Sequence, residues 1–331
     1  MYSGYACERN SSKYKQNIFF EEHLCIETYI IGYKNQGEAI LFFVRADGGI
    51  SFSGLVDCFC VNDMNKVNDV LEGNGIKELD FICWTHPDFD HSNGLKDIIR
   101  KYASEKTYIW IPEGVDINEI KCSKEVKELF LQLKECTMDA DAEYNVYSVS
   151  DKKDLMYYNS ICFYKNMDSF PLEIISYAPN SKIIRKQTYM DKFIKNDRSV
   201  FLDVALGSVR IYLTGDIEDE TIEKIPEEFF EDHIHIMKIP HHGSDSSGKM
   251  LDLGWQGCDV ACSTVFRMGN INLPLSDIMK QYGEISDFLL CTGKANKCRE
   301  TEQYGMVKII TDITENKFSV NLEGNAECWN S

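Results

Sequence analysis

Apolar residues along the chain fall into short runs with the spacing of strands and helices. Leu24–Tyr33, Ala39–Arg45 and Ile50–Cys60 read as three strands, and Asp47-Gly48-Gly49 between the last two is a hairpin turn signal. Asp63–Gly73 puts Met64, Val67, Val70 and Leu71 on one face, which predicts a helix. Phe81–Thr85 is a short buried strand, Gly94–Tyr102 a helix and Thr107–Ile111 another strand. Ile117–Glu135 has Val126, Leu129, Phe130 and Leu133 at helical spacing, whereas Met138–Asn159 is polar and acidic. Regular signals resume with strands at Leu172–Tyr177, Ser199–Leu206 and Val209–Leu213, and Asp219–Glu231 reads as an acidic helix. His233–Ile239, Asp259–Val265 and Phe288–Cys291 read as strands, with a helix near Ser276–Tyr282. Met306–Thr311 and Phe318–Leu322 form a closing hairpin. Two β-rich halves with interspersed helices predict an α/β protein with sheet on sheet and helices outside.

The pattern holds no internal repeat and no linker. It predicts a polar lead-in over residues 1–23 and a single domain over 24–325, with an insertion or lid at about 113–170. The N-terminus has no apolar run of signal-peptide type, and Ile40–Val44 and Phe288–Cys291 are far shorter than the ~20 residues of a membrane span. The expectation is a soluble, cytoplasmic protein with no membrane contact. Of 331 residues, 44% are hydrophobic and 27% charged, which excludes wholesale disorder. A net charge of −18 argues against a protein that coats long polyanions, so any phosphate chemistry needs a local cation. The thirteen cysteines are scattered, with no Cys-x-x-Cys, and read as reduced thiols in a cytosol.

Histidine placement is the sharpest clue. Of seven, four lie in two tight pairs, His86/His91 and His241/His242, each after an apolar strand, while His233 and His235 alternate within a strand and read as structural. His86, Asp88, Asp90 and His91 form four potential ligands within six residues, followed by Ser92-Asn93-Gly94. Imidazole and carboxylate together suit zinc, manganese or iron. The competing reading is a loop in which Asp90 or Ser92 merely caps a helix. Asp57 and Asp216 also stand at strand ends, the latter in Leu213-Thr214-Gly215-Asp216.

In this order the elements resemble the metallo-β-lactamase fold superfamily, and within it the metallohydrolase domain of ComEC-type competence proteins. The resemblance rests on Gln36-Gly37-Glu38-Ala39, the His86–His91 motif with Asp88 where most of the superfamily has histidine, Asn196 to Ser199, Leu213 to Asp216, and Pro240-His241-His242-Gly243-Ser244. It covers about Gln36 to Ser247. Three features depart from the pattern: Asn93 replaces a glycine, Leu273-Pro274 stands where a His-Pro is usual, and Glu113–Phe170 is longer.

The resemblance implies a four-layer αββα sandwich with two divalent metal ions, zinc or manganese. One metal would take His86 and Asp88. The other would take Asp90, His91 and one of His241 and His242, with Asp216 bridging. Asp90 and Asp216 would support a metal-bridged hydroxide, and Asp57, Asn196, Ser199 and Ser244 would orient the ligands. Asp88, a harder donor than imidazole, favours manganese somewhat.

The implied activity is that of a soluble metal-dependent hydrolase, a phosphodiesterase or nuclease. Lys182, Arg185, Lys186, Lys195 and Arg198 would guide an anionic substrate, and Tyr189 and Phe193 in the same basic stretch would stack on bases. That stretch also reads as an ordinary solvated face. The expected partner is a phosphodiester, another small anion or a short single-stranded nucleic acid. Hydrolysis of esters, thioesters or lactams is the rival chemistry. A non-catalytic or partner-activated component, docking a protein through the insertion, is the rival role.

Overall fold

Alternation in single strands shows how the layers form. In Glu38–Ala46, Ile40, Phe42 and Val44 enter one core while Ala39, Leu41 and Phe43 enter another. A strand buried on both faces must be covered twice, by a second sheet on one side and helices on the other. The computed structural model describes residues 15–329, apart from 63, 121, 140–141, 156–159, 254–255 and 297–298.

The chain begins with β1 (Lys15–Phe19), β2 (Leu24–Tyr33), β3 (Glu38–Ala46), β4 (Gly49–Val56), α1 (Lys66–Gly73), β5 (Phe81–Cys83), α2 (Phe89–Ser92), α3 (Leu95–Tyr102) and β6 (Tyr108–Pro112). It continues through α4 (Lys124–Cys136), β7 (Asn145–Val149), β8 (Lys153–Asp154), β9 (Ser160–Lys165), β10 (Asp168–Ala178), α5 (Ser181–Tyr189), β11 (Phe201–Leu206), β12 (Val209–Leu213) and α6 (Asp219–Ile222). The last part holds β13 (His233–Lys238), β14 (Gly257–Ser263), β15 (Phe266–Met268), β16 (Ile271–Leu273), α7 (Ser276–Glu284), β17 (Ser286–Cys291), β18 (Tyr304–Asp312), β19 (Lys317–Gly324) and β20 (Glu327–Cys328).

The first sheet has the order β19-β18-β2-β3-β4-β5-β6-β7 and the second β1-β9-β10-β11-β12-β13-β14-β17-β20, with β8 beside β10. Ile40, Phe42, Phe52 and Phe81 of the first sheet meet Leu202, Val204, Ile211 and Ile236 of the second in a core between them. Val67, Ile98, Leu129 and Phe130 cover the outer face of the first sheet, and Ile222, Met250, Met279 and Tyr282 that of the second. The αββα layering expected from the sequence is the layering observed. Among the described residues no helix is long and apolar enough to cross a membrane.

As far as they are described, the residues at 113–170, expected as an insertion or lid, contribute a helix and strands to the two sheets. In α4, Val126, Leu129, Phe130 and Leu133 are buried, and Phe130 meets the Trp84 ring at 5.5 Å. β7 extends the first sheet parallel to β6, and β9 pairs with β10 in the second. Several other expectations need correction. The predicted helix Ile117–Glu135 starts only at Lys124, where the Ser123 hydroxyl accepts from the Val126 N–H at 3.2 Å. The lead-in contains β1, which pairs parallel with β9, and its first 14 residues lie outside the described ones.

The strand predicted to reach Cys60 ends at Val56, because Asp57 turns the chain with φ +58°. The following helix begins at Lys66, capped by Asn65, and Asp63, its expected start, is not among the described residues. The acidic helix stops after Ile222, and Pro226, which has no N–H to give a helix, follows shortly after. The basic stretch is in part the helix α5, capped by Asn180 and burying Ile183, Ile184 and Gln187.

Candidate metal centre

Two parallel strand pairs bring the chemistry to one place. β4 runs parallel to β5, and β12 parallel to β13, so each pair ends at one edge of its sheet. Asp57 follows β4, Thr85 and His86 follow β5, Gly215 and Asp216 follow β12, and His241 and His242 follow β13. Gly215 has φ +53°, and a Cβ there would lie 2.5 Å from the Ser199 hydroxyl and 2.9 Å from the Val200 carbonyl. Only glycine lets Asp216 enter this tightly. His241 and His242 both have positive φ, +46° and +54°. Left-handed backbone costs a residue with a Cβ roughly 1–2 kcal/mol. Hydrogen bonds from His241 N–H to the Gly215 carbonyl (3.1 Å) and from Leu275 N–H to the Gly243 carbonyl (3.0 Å) hold the turn in place. Such strain collects at functional sites.

Asp90, His91, Asp216 and His242 converge, all buried, with one ligand atom of each within 4.8 Å of the others. His91 Nε2 is 3.5 Å from both Asp90 Oδ2 and Asp216 Oδ1, and His242 Nε2 is 3.1 Å from Asp90 Oδ2 and 3.6 Å from Asp216 Oδ2. On the other side of Asp216, His86 Nε2 is 3.7 Å from Asp88 Oδ2 and from Asp216 Oδ2. His241 Nε2 is 3.9 Å from Asp216 Oδ2. His242 joins Asp90 and His91, whereas His241 stands on the Asp216 carboxylate from outside, its side chain partly exposed.

Each imidazole is oriented through its other nitrogen. Asp57, fully buried, accepts from His91 Nδ1 at 2.6 Å, the Thr85 N–H at 2.7 Å and the Thr85 hydroxyl at 2.5 Å. His86 Nδ1 lies 3.0 Å from the Thr85 hydroxyl and 3.4 Å from that of Ser199, and the Ser199 hydroxyl accepts from the Asp216 N–H at 2.9 Å. His241 Nδ1 faces the Ser246 hydroxyl and Glu218, at 2.9 and 3.2 Å. Asn196 donates to that Glu218 at 2.9 Å, and the Ser244 hydroxyl accepts from the Ser246 N–H. His242 Nδ1 meets the Thr264 hydroxyl at 2.8 Å, which donates to Glu38 at 2.5 Å. Glu38 forms a buried ion pair with Lys238 at 2.8 Å, tying β3 to β13 between the sheets.

The electrostatics follow from this crowding. Burial alone would raise Asp216, but His242, His91 and His241 hold it well below the usual carboxylate range. Burial alone would lower His91, yet Asp216, Asp90 and Asp57 raise it well above an ordinary imidazole. His86 is lowered by burial and by His91. The donor set also passes a test of fit to divalent cations. His86 Nε2, His91 Nε2 and Asp216 Oδ1 are buried with no hydrogen-bond partner. Buried polar atoms of native proteins are nearly always satisfied, so atoms left free and aimed at one another are what ligands need. His86, Asp88 and His241 on one side and Asp90, His91 and His242 on the other, with Asp216 between, could hold two ions.

The expected substrate residues fare differently. Only Lys195 lines the cavity at the centre, about 640 Å³, where it forms an ion pair with Asp88. Lys182, Arg185 and Lys186 are exposed on α5, away from the lining, and Lys186 meets Glu220 at 3.6 Å. Arg198 is buried instead of solvated: its guanidinium donates to the Gly114 carbonyl and Gln187, and lies over the Phe193 ring. That contact also removes Phe193 from the expected base-stacking role, while Tyr189 is exposed. Sequence reasoning missed Thr85, Glu218, Lys238 and Thr264 as supports. Thr85 carried a signal, since it directly precedes His86; Thr264 joins the site only through the meeting of the sheets. His233, His235 and Asp259 form a separate group on the β13–β14 surface.

The architecture and site thus define an αββα sandwich with a buried aspartate–histidine cluster at the strand ends. No protein family with a known signature matches the chain, and no curated protein does. Solved structures do match. One is a diphosphatase from the PhnP family, with a TM-score of 0.35, 13% identity, and coverage of 79% of this chain and 94% of that one. Another is a Parabacteroides distasonis protein assigned as a metal-dependent hydrolase, with a TM-score of 0.34, 13% identity, and coverage of 75% and 78%. Likenesses at this level assign neither family nor activity to the chain.

Proposed function

We propose that the protein is a hydrolase of phosphodiesters that works with two divalent metal ions, zinc or manganese. The observation that carries this reading is the set of buried, unpartnered donor atoms, His86 Nε2, His91 Nε2 and Asp216 Oδ1, gathered around the Asp216 carboxylate beside Asp90 and His242. Divalent cations held there supply Lewis acidity toward a phosphoryl oxygen and make water acidic enough to attack near neutral pH. The chain's own residues do the rest. Asp57 and Thr85 fix His91 and His86 with Nε2 inward, Glu218 fixes His241, and Thr264 fixes His242. The Lys195 ammonium at the cavity is the positive group placed to meet an anionic substrate. The Ser199 and Ser246 hydroxyls contact His86 and His241 at Nδ1, the ring nitrogen turned away from Asp216, and so act as orienting partners in this reading.

The test is to strip the protein with a chelator, reload it with manganese or zinc, and assay bis(4-nitrophenyl) phosphate beside 4-nitrophenyl acetate. Phosphodiester turnover that needs the added metal supports the reading. Turnover of the ester alone overturns the substrate class, and no turnover of either overturns the hydrolase assignment.

A further inference from the structure

The wall opposite the metal ligands has a chemistry of its own. β15 and β16 form a hairpin outside both large sheets, with Phe266 paired to Leu273 and Met268 to Ile271. Directly paired residues share a face of a hairpin, so one face carries four apolar side chains. Phe266, Ile271 and Leu273 line the metal cavity, joined by Leu275. Met268 is 56% exposed and Ile271 49%, although a hairpin tip of this size is ordinarily polar. Gly269, with φ +60°, opens the tight turn between them.

This wall is fixed. Arg267, between Phe266 and Met268, points away from the apolar face and is buried. Its backbone N–H donates to the Asn35 carbonyl at 2.5 Å, its guanidinium donates to the Lys34 carbonyl at 3.2 Å and the Lys294 carbonyl at 2.5 Å, and it forms an ion pair with Glu300. The hairpin is therefore tied to the β2–β3 turn and to the segment before β18. Phe266 also packs on the His242 ring at 5.5 Å, which sets the apolar surface directly beside a candidate ligand.

A cavity of about 640 Å³ is in the range that encloses a small molecule, typically ~300–1,000 Å³. One wall is carboxylate, imidazole and Lys195; the other carries Phe266, Ile271, Leu273 and Leu275, with Asn270 and Asn272 beside them. Ile271, half exposed at the cavity beside Phe266 and Leu273 on a hairpin tied down by Arg267, presents apolar surface that a ligand can cover. The geometry points to a small phosphodiester with one apolar substituent, aryl or alkyl, which lies against Phe266, Ile271 and Leu273 while its phosphoryl group faces Asp216 and Lys195. This inference rests on the hydrolase reading for the phosphoryl group and adds the identity of what flanks it.

Two measurements on the metal-loaded protein test it. Methyl 4-nitrophenyl phosphate and phenyl 4-nitrophenyl phosphate share a leaving group and differ in the apolar group. The phenyl ester should have the higher kcat/KM by about tenfold or more, the range that one added apolar group commands in a hydrophobic pocket. Ile271→Asn, at a half-exposed position that costs the fold little, should bring the ratio toward one. Calorimetric titration with phenylphosphonate and methylphosphonate should show the same preference in binding, again lost in Ile271→Asn. Equal affinity for the two phosphonates, or no binding of either, overturns the inference. A preference that survives Ile271→Asn overturns it as well. Tighter binding of phenylphosphonate with no turnover of either ester upholds the apolar subsite and overturns the hydrolase reading instead.

Discussion

In the candidate metal centre, Asp57 orients a proposed ligand, His91, without facing the cluster itself. Asp57 is buried at φ +58°, a conformation asparagine adopts almost as readily as aspartate. Asp57→Asn therefore keeps the backbone and shape and changes only which atoms donate. The carboxylate accepts three hydrogen bonds, from the Thr85 N–H, the Thr85 hydroxyl and His91 Nδ1. An amide can keep its oxygen toward the Thr85 N–H, and its NH2 then faces His91 Nδ1. That nitrogen must accept, so the imidazole proton moves to Nε2, the atom 3.5 Å from Asp90 and Asp216. The opposite amide orientation restores His91 but sets NH2 against the Thr85 N–H. Either way a charge-assisted hydrogen bond worth about 1.5–3 kcal/mol is lost in the metal-binding state. The expected fall in affinity for manganese or zinc is roughly 10- to 100-fold, the range for partners that orient a ligand. Competition against a chromophoric chelator measures it, and thermal melts of the metal-free protein check the fold. Asp57→Asn with wild-type metal affinity and an unchanged apo melt would refute the reasoning, since it would mean that Asp57 does not set the His91 tautomer.

Two further outcomes are expected. Gly215→Ala forces a Cβ against the Ser199 hydroxyl and the Val200 carbonyl at left-handed φ, and should destabilise the fold by about 2–4 kcal/mol in urea titration while displacing Asp216. Asp203 is raised to about 6 by burial, against the opposing pull of Arg210 and the Tyr177 hydroxyl. Its folded pKa lies above its unfolded one, so the native state holds the proton more tightly. Stability attributable to this group is therefore full below pH ~4 and lost as pH rises through about 6, by on the order of 3 kcal/mol. Asp203→Asn should flatten that part of the melting profile between pH 4 and 7, and profiles that stay parallel would show that Asp203 does not titrate there.

Much of the clustering at the candidate centre was legible because the residues that meet there are dense in sequence and follow rigid elements. His86, Asp88, Asp90 and His91 sit within six residues after β5, and Gly215-Asp216 and His241-His242 follow apolar strands. The layers were legible because strands such as β3 are apolar at nearly every position, which only a doubly covered sheet requires. What was not legible depends on long-range geometry. The separate places of His241 and His242 follow from two consecutive left-handed residues, which the dipeptide does not announce. Arg198 reads as one more basic residue until Gly114, Gln187 and Phe193 close around it. β1 and β9 pair across more than a hundred residues, and the short polar run Lys15–Phe19 carries no alternation to reveal it. The apolar hairpin over the cavity escaped because three-residue strands lie below the length at which alternation is visible.

In the proposed reading Asp216 would be the carboxylate shared by two metal ions. Equilibrium dialysis of the chelator-stripped protein against manganese or zinc, followed by elemental analysis, tests it directly. The wild-type chain should take up two ions, and Asp216→Ala, which removes the shared carboxylate while Val209–Leu213 still packs in the core, should retain at most one with the fold intact by circular dichroism. A wild-type chain that binds no metal, or an Asp216→Ala chain that binds as many ions as the wild type with the same affinity, would contradict the account.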